Sequence, residues 1–164
     1  MRKKYTMDLS LIQEIRAPNN LIEVSLSSNN NLYDEVYKIA KYFKEESNYD
    51  RVPFDSMGML PTPYKVFLFT EIDIDEVAAG NKKTQRIYGA CLFSKKSLSK
   101  SENIWVLEWI WLHPFFRHRG FLKEKWTFFQ ETFGDFCIGR PVSPNMEAFL
   151  ESQRKKSGFN HYEI

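Results

Sequence analysis

Ile104-Trp-Val-Leu-Glu-Trp-Ile-Trp-Leu-His-Pro-Phe-Phe-Arg-His-Arg-Gly-Phe-Leu-Lys-Glu-Lys-Trp126 reads as a buried strand that passes through a basic, glycine-containing turn into a helix. Between Ile104 and Leu112 only Glu108 is charged, and a strand apolar at both parities belongs inside a sheet with both faces covered. Desolvation of a carboxylate in such a strand favours proton uptake, which suits a general base. The alternative is a glutamate at a strand end or cleft rim that pairs with a basic residue. From His113 to Lys123, basic side chains surround Gly120 just where a helix begins. A turn of that kind can aim backbone N–H groups outward under a favourable helix dipole, which suits a pyrophosphate; a plain solvated turn is the competing reading.

Outward from this segment the chain alternates strands and helices. Leu122, Trp126, Phe129 and Phe133 recur at helical spacing and Gly134 closes the helix. Asp135 to Gly139 reads as a short strand, and Ser143-Pro144 as the start of a last helix with Met146, Phe149 and Leu150 inward. Phe159 to Ile164 is expected to be a final strand. Upstream, Lys65 to Ile72 and Arg86 to Phe93 are strands rich in β-branched and aromatic residues, and Ser94 to Asn103 is a lysine- and serine-rich solvated loop. Leu21 to Ser27 alternates as a half-buried strand. Asn31 caps a helix whose stripe is Leu32, Val36, Ile39 and Phe43. Ser47 to Pro63 is a long loop with exposed-looking Tyr49, Phe54, Met57 and Met59, suited either to binding or to simple packing on the core.

With 164 residues, 43% apolar and 16% aromatic, the chain can bury a sizeable core and is expected to form one domain over residues 21–164, behind an arm at 1–20. The order of elements predicts an α/β domain with a mixed, largely antiparallel sheet. A formal charge of +2 is too balanced for a protein that coats nucleic acid, even though Lys95, Lys96, Lys100, Arg117, Arg119 and Lys123 offer local positive charge. Cys91 and Cys137 sit in apolar runs as small buried hydrophobes, and His113, His118 and His161 have no metal-ligand spacing. The four tryptophans fall at strand or helix spacing and read as core or cleft wall. No apolar stretch of signal-peptide or membrane-spanning length occurs, so a cytoplasmic protein without a membrane partner is expected.

The strand Glu108-Trp-Ile-Trp-Leu-His-Pro114 and the turn Arg117-His-Arg-Gly-Phe-Leu122 together resemble the E-x-L-x-V-x-P strand and RxxGxG/A turn of the GNAT superfamily of N-acetyltransferases. Val142-Ser-Pro-Asn-Met-Glu-Ala148 with Ser157-Gly-Phe159 is similar to that family's N-x-x-A helix and closing Gly-Phe. The resemblance implies a central sheet of six to seven strands flanked by helices, acetyl-coenzyme A as co-substrate, and direct transfer to a primary amine in a ternary complex. It implies that Arg117, His118, Arg119, Gly120, Phe121, Leu122 and Lys123 hold the pyrophosphate. Ile110, Trp111 and Leu112 would pair with the pantetheine arm in a gap between the Ile104 and Asp135 strands and face the oxyanion with a backbone N–H. Asn145 would contact the cofactor, and Glu108 would deprotonate the amine, through water. The acceptor would enter beside the first helix and the Ser47 to Pro63 loop.

Two positions depart from the family pattern. Leu122 replaces its last small residue. The helix tyrosine that protonates the departing thiolate in many members falls on Ser152 counting from Asn145, or on Arg154 counting from Gly158, which leaves Tyr162 or water as the acid. A non-catalytic binding or sensor module with the same fold is the alternative these departures favour, and the assembly state, monomer or homodimer, stays open.

Overall fold

The computed structural model describes residues 11–13, 18–25, 30–54, 62–72, 78–80, 84–140 and 142–157. In chain order they form β1 (Leu11–Gln13), β2 (Leu21–Val24), α1 (Asn30–Ser47), β3 (Tyr64–Ile72), β4 (Thr84–Ser97), β5 (Asn103–Leu112), α2 (Phe121–Phe133), β6 (Cys137–Ile138) and α3 (Pro144–Ser157). The sheet runs β2-β3-β4-β5-β6, antiparallel up to β5 and parallel between β5 and β6. It is thus the mixed, largely antiparallel α/β sheet expected, but its continuous path holds five strands rather than six to seven. The short β1 pairs with β4 off that path, so part of the expected arm joins the sheet. The expected strand from Phe159 to Ile164 lies outside the described residues.

Side-chain alternation sorts the core into two layers. On one face Phe67, Phe93 and Leu107 pack under Phe129 and Phe133 of α2 and Met146 and Leu150 of α3. On the other, Val66, Leu68, Leu92, Trp109 and Trp111 meet the predicted stripe of α1, in which Leu32, Val36, Ile39 and Phe43 are all buried. Because β5 feeds both layers, its sequence is apolar at both parities. Phenylalanine fills the first layer: the Phe93 and Phe133 rings stack at 4.1 Å, and Phe67 and Phe129 lie 5.7 Å apart. Such contacts add to the area buried by each ring.

Of the two readings of the long loop, packing on the core holds for its described part, and the loop expected from Ser94 is corrected. Phe54 is buried and stacks on Tyr33 at 6.1 Å, and Tyr49 packs on Phe43 at 5.9 Å, so this part of the long loop closes the α1 layer; Met57 and Met59 lie outside the described residues. The Lys-rich stretch from Ser94 is strand as far as Ser97, because Lys95, Lys96 and Ser97 pair with Trp105, Ile104 and Asn103. Polarity there marks the sheet's rim: Lys95 lays its ammonium 5.8 Å from the Trp105 ring. The strand expected at Asp135 to Gly139 shortens to Cys137–Ile138.

Gly89 fixes how closely β4 meets the end of β5. A Cβ there would stand 2.5 Å from Leu112 Cδ2 and 2.6 Å from the Trp111 carbonyl oxygen. Gly89→Ala is therefore expected to lower stability by about 1–3 kcal/mol, as overpacking against backbone does. Urea unfolding of the two proteins measures it, and an unchanged midpoint would refute the close fit.

Candidate active site

The site begins with a slip of one residue in β5. Leu92 faces Trp109 and Phe93 faces Leu107, so Glu108 is an extra residue in the β4–β5 pairing, a β-bulge. Pairing with β6 stops at the same place: Val106 and Leu107 match Cys137 and Ile138, and the Gly139 N–H donates to the Leu107 carbonyl at 2.8 Å. Beyond it β5 runs on to Leu112, still paired with β4 but, among the described residues, with no strand along its other edge. The backbone groups of a strand alternate between its edges. His113 N–H donates to Tyr88 O on β4 at 2.8 Å, so Leu112 and Ile110 turn theirs to the open side.

This opening is a cavity of about 370 Å³. One wall is Leu107 to Leu112, the other Ile138, Gly139 and the α3 residues Asn145, Met146 and Phe149. The turn from Phe116 to Lys123 and Phe43, Glu46 and Ser47 of α1 complete its lining. The sequence motif residues Glu108, Ile110, Trp111, Leu112, Arg117, His118, Arg119, Gly120, Phe121, Leu122, Lys123 and Asn145 thus all border one space. Tyr162 lies outside the described residues. Of the two positions counted for the helix tyrosine, Ser152 borders the cavity, its hydroxyl donating to Phe149 O at 2.6 Å.

The turn is held in shape by backbone conformation. His118 (φ 59°) and Gly120 (φ 82°) both take the left-handed region, which a histidine adopts under strain and a glycine freely. A Cβ on Gly120 would meet nothing within 4 Å, so dihedral freedom, not space, calls for glycine here. Gly120 then caps α2 without a side chain, and the residues that carry the first N–H groups of the helix border the cavity. Leu122 is half-buried against the aromatic layer, which gives its larger side chain a place while it still borders the cavity. Asn145 is exposed on the first turn of α3, which Ser143 caps as expected, its Oγ accepting from Met146 N–H at 3.1 Å.

Glu108 takes the second of the two environments its sequence suggested, a half-buried carboxylate at the cavity paired with a basic residue. Its Oε1 accepts from the Ser94 hydroxyl and meets Lys96 Nζ at 2.8 Å, so it does pair with a basic residue. It also borders the cavity, and Oε2 lies 3.3 Å from the place where a Cβ on Gly139 would be. One oxygen is thus fixed by the protein while the other faces the end of β6.

Arg117 is turned inward. Its Nε donates to Leu112 O at 2.8 Å, and its two terminal nitrogens reach Glu46 Oε1 at 2.5 Å and Oε2 at 2.8 Å. Trp111 Nε1 donates to the same carboxylate at 2.8 Å. Glu46, Ser94 and Lys96 are the functional neighbours that sequence reasoning missed. Glu46 lies 71 positions from Arg117, and no local pattern couples residues at that distance.

Among the described residues no group of three or more His, Cys, Asp or Glu could hold a metal ion, and no helix is long and apolar enough to cross a membrane. No family model and no curated protein matches the sequence. Among solved structures, the ribosomal-protein-alanine N-acetyltransferase of Brucella melitensis biovar Abortus 2308 superposes with a TM-score of 0.51, at 13% identity over 88% of this chain and 97% of that one. The chain has the GNAT acetyltransferase fold. An aminoglycoside acetyltransferase from an uncultured soil metagenomic sample, in complex with sisomicin, matches at a TM-score of 0.47 and 13% identity, covering 89% of this chain and 93% of that one.

His113, at the joint between β5 and the basic turn, is buried, and its Nδ1 accepts from Phe115 N–H at 3.2 Å. Burial, and then the Arg117 charge, hold its pKa below the usual histidine value of 6.5. The unfolded chain therefore binds this proton more tightly than the folded one. Its contribution is complete above pH 6.5 and is lost as pH falls from there toward the depressed folded value. His113→Asn, which can still accept from Phe115, is expected to lose less stability than the parent between pH 7.5 and 5. Urea midpoints across that range test it; parallel profiles would refute it.

Proposed function

We propose that the chain transfers an acetyl group from acetyl-coenzyme A to a primary amine, of a small molecule or a protein, in a ternary complex. The open edge of β5 carries this reading: backbone groups of Ile110 and Leu112 face a cavity that the glycine turn and Glu108 border. A peptide-like pantetheine arm fits an unpaired strand edge, because its amides can make the bonds that a neighbouring strand would make. The turn from Arg117 to Lys123 suits the pyrophosphate, and Asn145 on α3 would contact the cofactor from the opposite wall.

Bound acetyl-coenzyme A supplies an activated acyl carbonyl. For the chain's own part, Glu108 takes the amine proton through Oε2, by way of water, while Lys96 and Ser94 keep Oε1 in place. Backbone N–H groups toward the end of β5 face the negative charge that develops on the carbonyl oxygen. The acceptor enters beside Phe43, Glu46 and Ser47. Tyr162 or water protonates the departing thiolate.

Calorimetric titration with acetyl-coenzyme A comes first, and no binding at high micromolar ligand would end the reading. Transfer is then followed with a panel of polyamines, aminoglycosides and lysine peptides; binding with no transfer to any of them would favour a sensor module. Glu108→Gln is expected to slow transfer by about a hundredfold or more while leaving cofactor affinity within about twofold. An equal loss of both would make Glu108 structural.

A further inference from the structure

Within that acetyl-coenzyme A reading, we propose that Arg117 is not a phosphate ligand but half of an internal strut with Glu46, and that the phosphate charge is met by Arg119 and Lys123. Each nitrogen of Arg117 donates one hydrogen bond within the protein, which engages three of the five N–H groups of the guanidinium. Nε is held by the Leu112 carbonyl, and both terminal nitrogens are held by Glu46 in a forked, two-bond contact. This is the geometry in which an arginine–carboxylate pair is strongest and most directional. Only about a fifth of the Arg117 side chain is exposed (19%) and about a quarter of the Glu46 side chain (27%), so water screens the pair weakly. The guanidinium also lies 5.6 Å from the centre of the Trp111 ring, whose own N–H donates to Glu46. Releasing Arg117 toward an anion would leave Glu46 and the Leu112 carbonyl without it.

The strut joins three parts that border the cavity: the end of α1 through Glu46, the open end of β5 through Trp111 and Leu112, and the start of the turn through Arg117. It therefore fixes the spacing between the helix on the acceptor side and the turn on the cofactor side. Arg119 and Lys123 stand differently. Both are exposed and both border the cavity, and Arg119 is steadied over the Phe115 ring at 4.0 Å, a contact that leaves its N–H groups available.

Two measurements test the division of labour. In thermal unfolding, Glu46→Gln and Arg117→Gln are each expected to lower Tm by about 5 °C, and the double variant to fall no further than the worse single one. Additive losses would overturn the strut. Glu46→Asp and Arg117→Lys provide the same cycle should the glutamine variants not fold. Second, coenzyme A and pantetheine, which lacks every phosphate, are titrated by tryptophan fluorescence. Arg119→Gln and Lys123→Gln are each expected to weaken coenzyme A about five- to tenfold and leave pantetheine unchanged. Arg117→Gln is expected to affect both ligands alike, keeping the ratio of the two constants within about twofold of the parent. A tenfold fall in that ratio for Arg117→Gln would overturn the proposal. Failure of the parent to bind coenzyme A would instead defeat the acetyltransferase reading together with the roles of Arg119 and Lys123, while the thermal cycle still decides the strut.

Discussion

Pairing between β5 and β6 ends at Leu107 and Ile138, and the rest of the site follows from that early stop. A parallel pair that continued would have used the N–H and C=O groups of Ile110 and Leu112 in the sheet and left no cavity. The extra residue at Glu108 and the close passage of Gly139 mark the point of divergence: a Cβ on Gly139 would lie 3.1 Å from the Leu107 carbonyl oxygen. Only a residue without a side chain brings β6 this near to the bulge without displacing it. Divergence would be costly if the exposed strand were held on one edge alone, since unpaired backbone groups need partners. Here β4 pairs with β5 as far as Leu112, and the two aromatic layers clamp its faces, so the open edge is carried by a rigid strand.

That rigidity comes from side chains that the sequence displays openly. Ile104 to Leu112 was legible as an interior strand because Trp109 and Trp111 serve one layer while Leu107 and Leu112 serve the other. Helices α1, α2 and α3 were legible because capping and stop residues such as Gly134 and Ser143 coincide with the ends of their apolar stripes. The turn was legible as a turn because Gly120 stands just ahead of the next apolar stripe, where the fold uses its left-handed freedom; its use, for a phosphate or for solvent, stayed open in the sequence.

What stayed hidden is what depends on partners distant in sequence. Ser94 and Lys96 looked like loop because their polarity was taken for solvent exposure; in the fold they belong to a strand and serve Glu108 across it. Phe54 looked exposed because nothing nearby in sequence shows that Tyr33, on α1, lies under it. The bulge was hidden too, since a single extra residue alters the alternation of β5 by one position and a strand apolar at both parities around Glu108 conceals that change of phase. Glu46 gave no signal, being one acidic residue near the end of a helix rich in charge.

Glu108 and Arg117 are the two charged residues on which the sequence resemblance turns, and each is already engaged within the fold. The engagement differs in kind. Glu108 gives one oxygen to Lys96 and Ser94 and keeps the other toward the end of β6, so pairing orients it without consuming it. Arg117 gives all three nitrogens, and hydrogen bonds to charged groups are worth about 1.5–3 kcal/mol each. Moving the guanidinium onto a phosphate would break that set at a partly covered site, whereas Arg119 and Lys123 stand at exposed positions. A motif position thus specifies where a charge stands along the chain; the packing of α1 against the end of β5 decides what that charge holds.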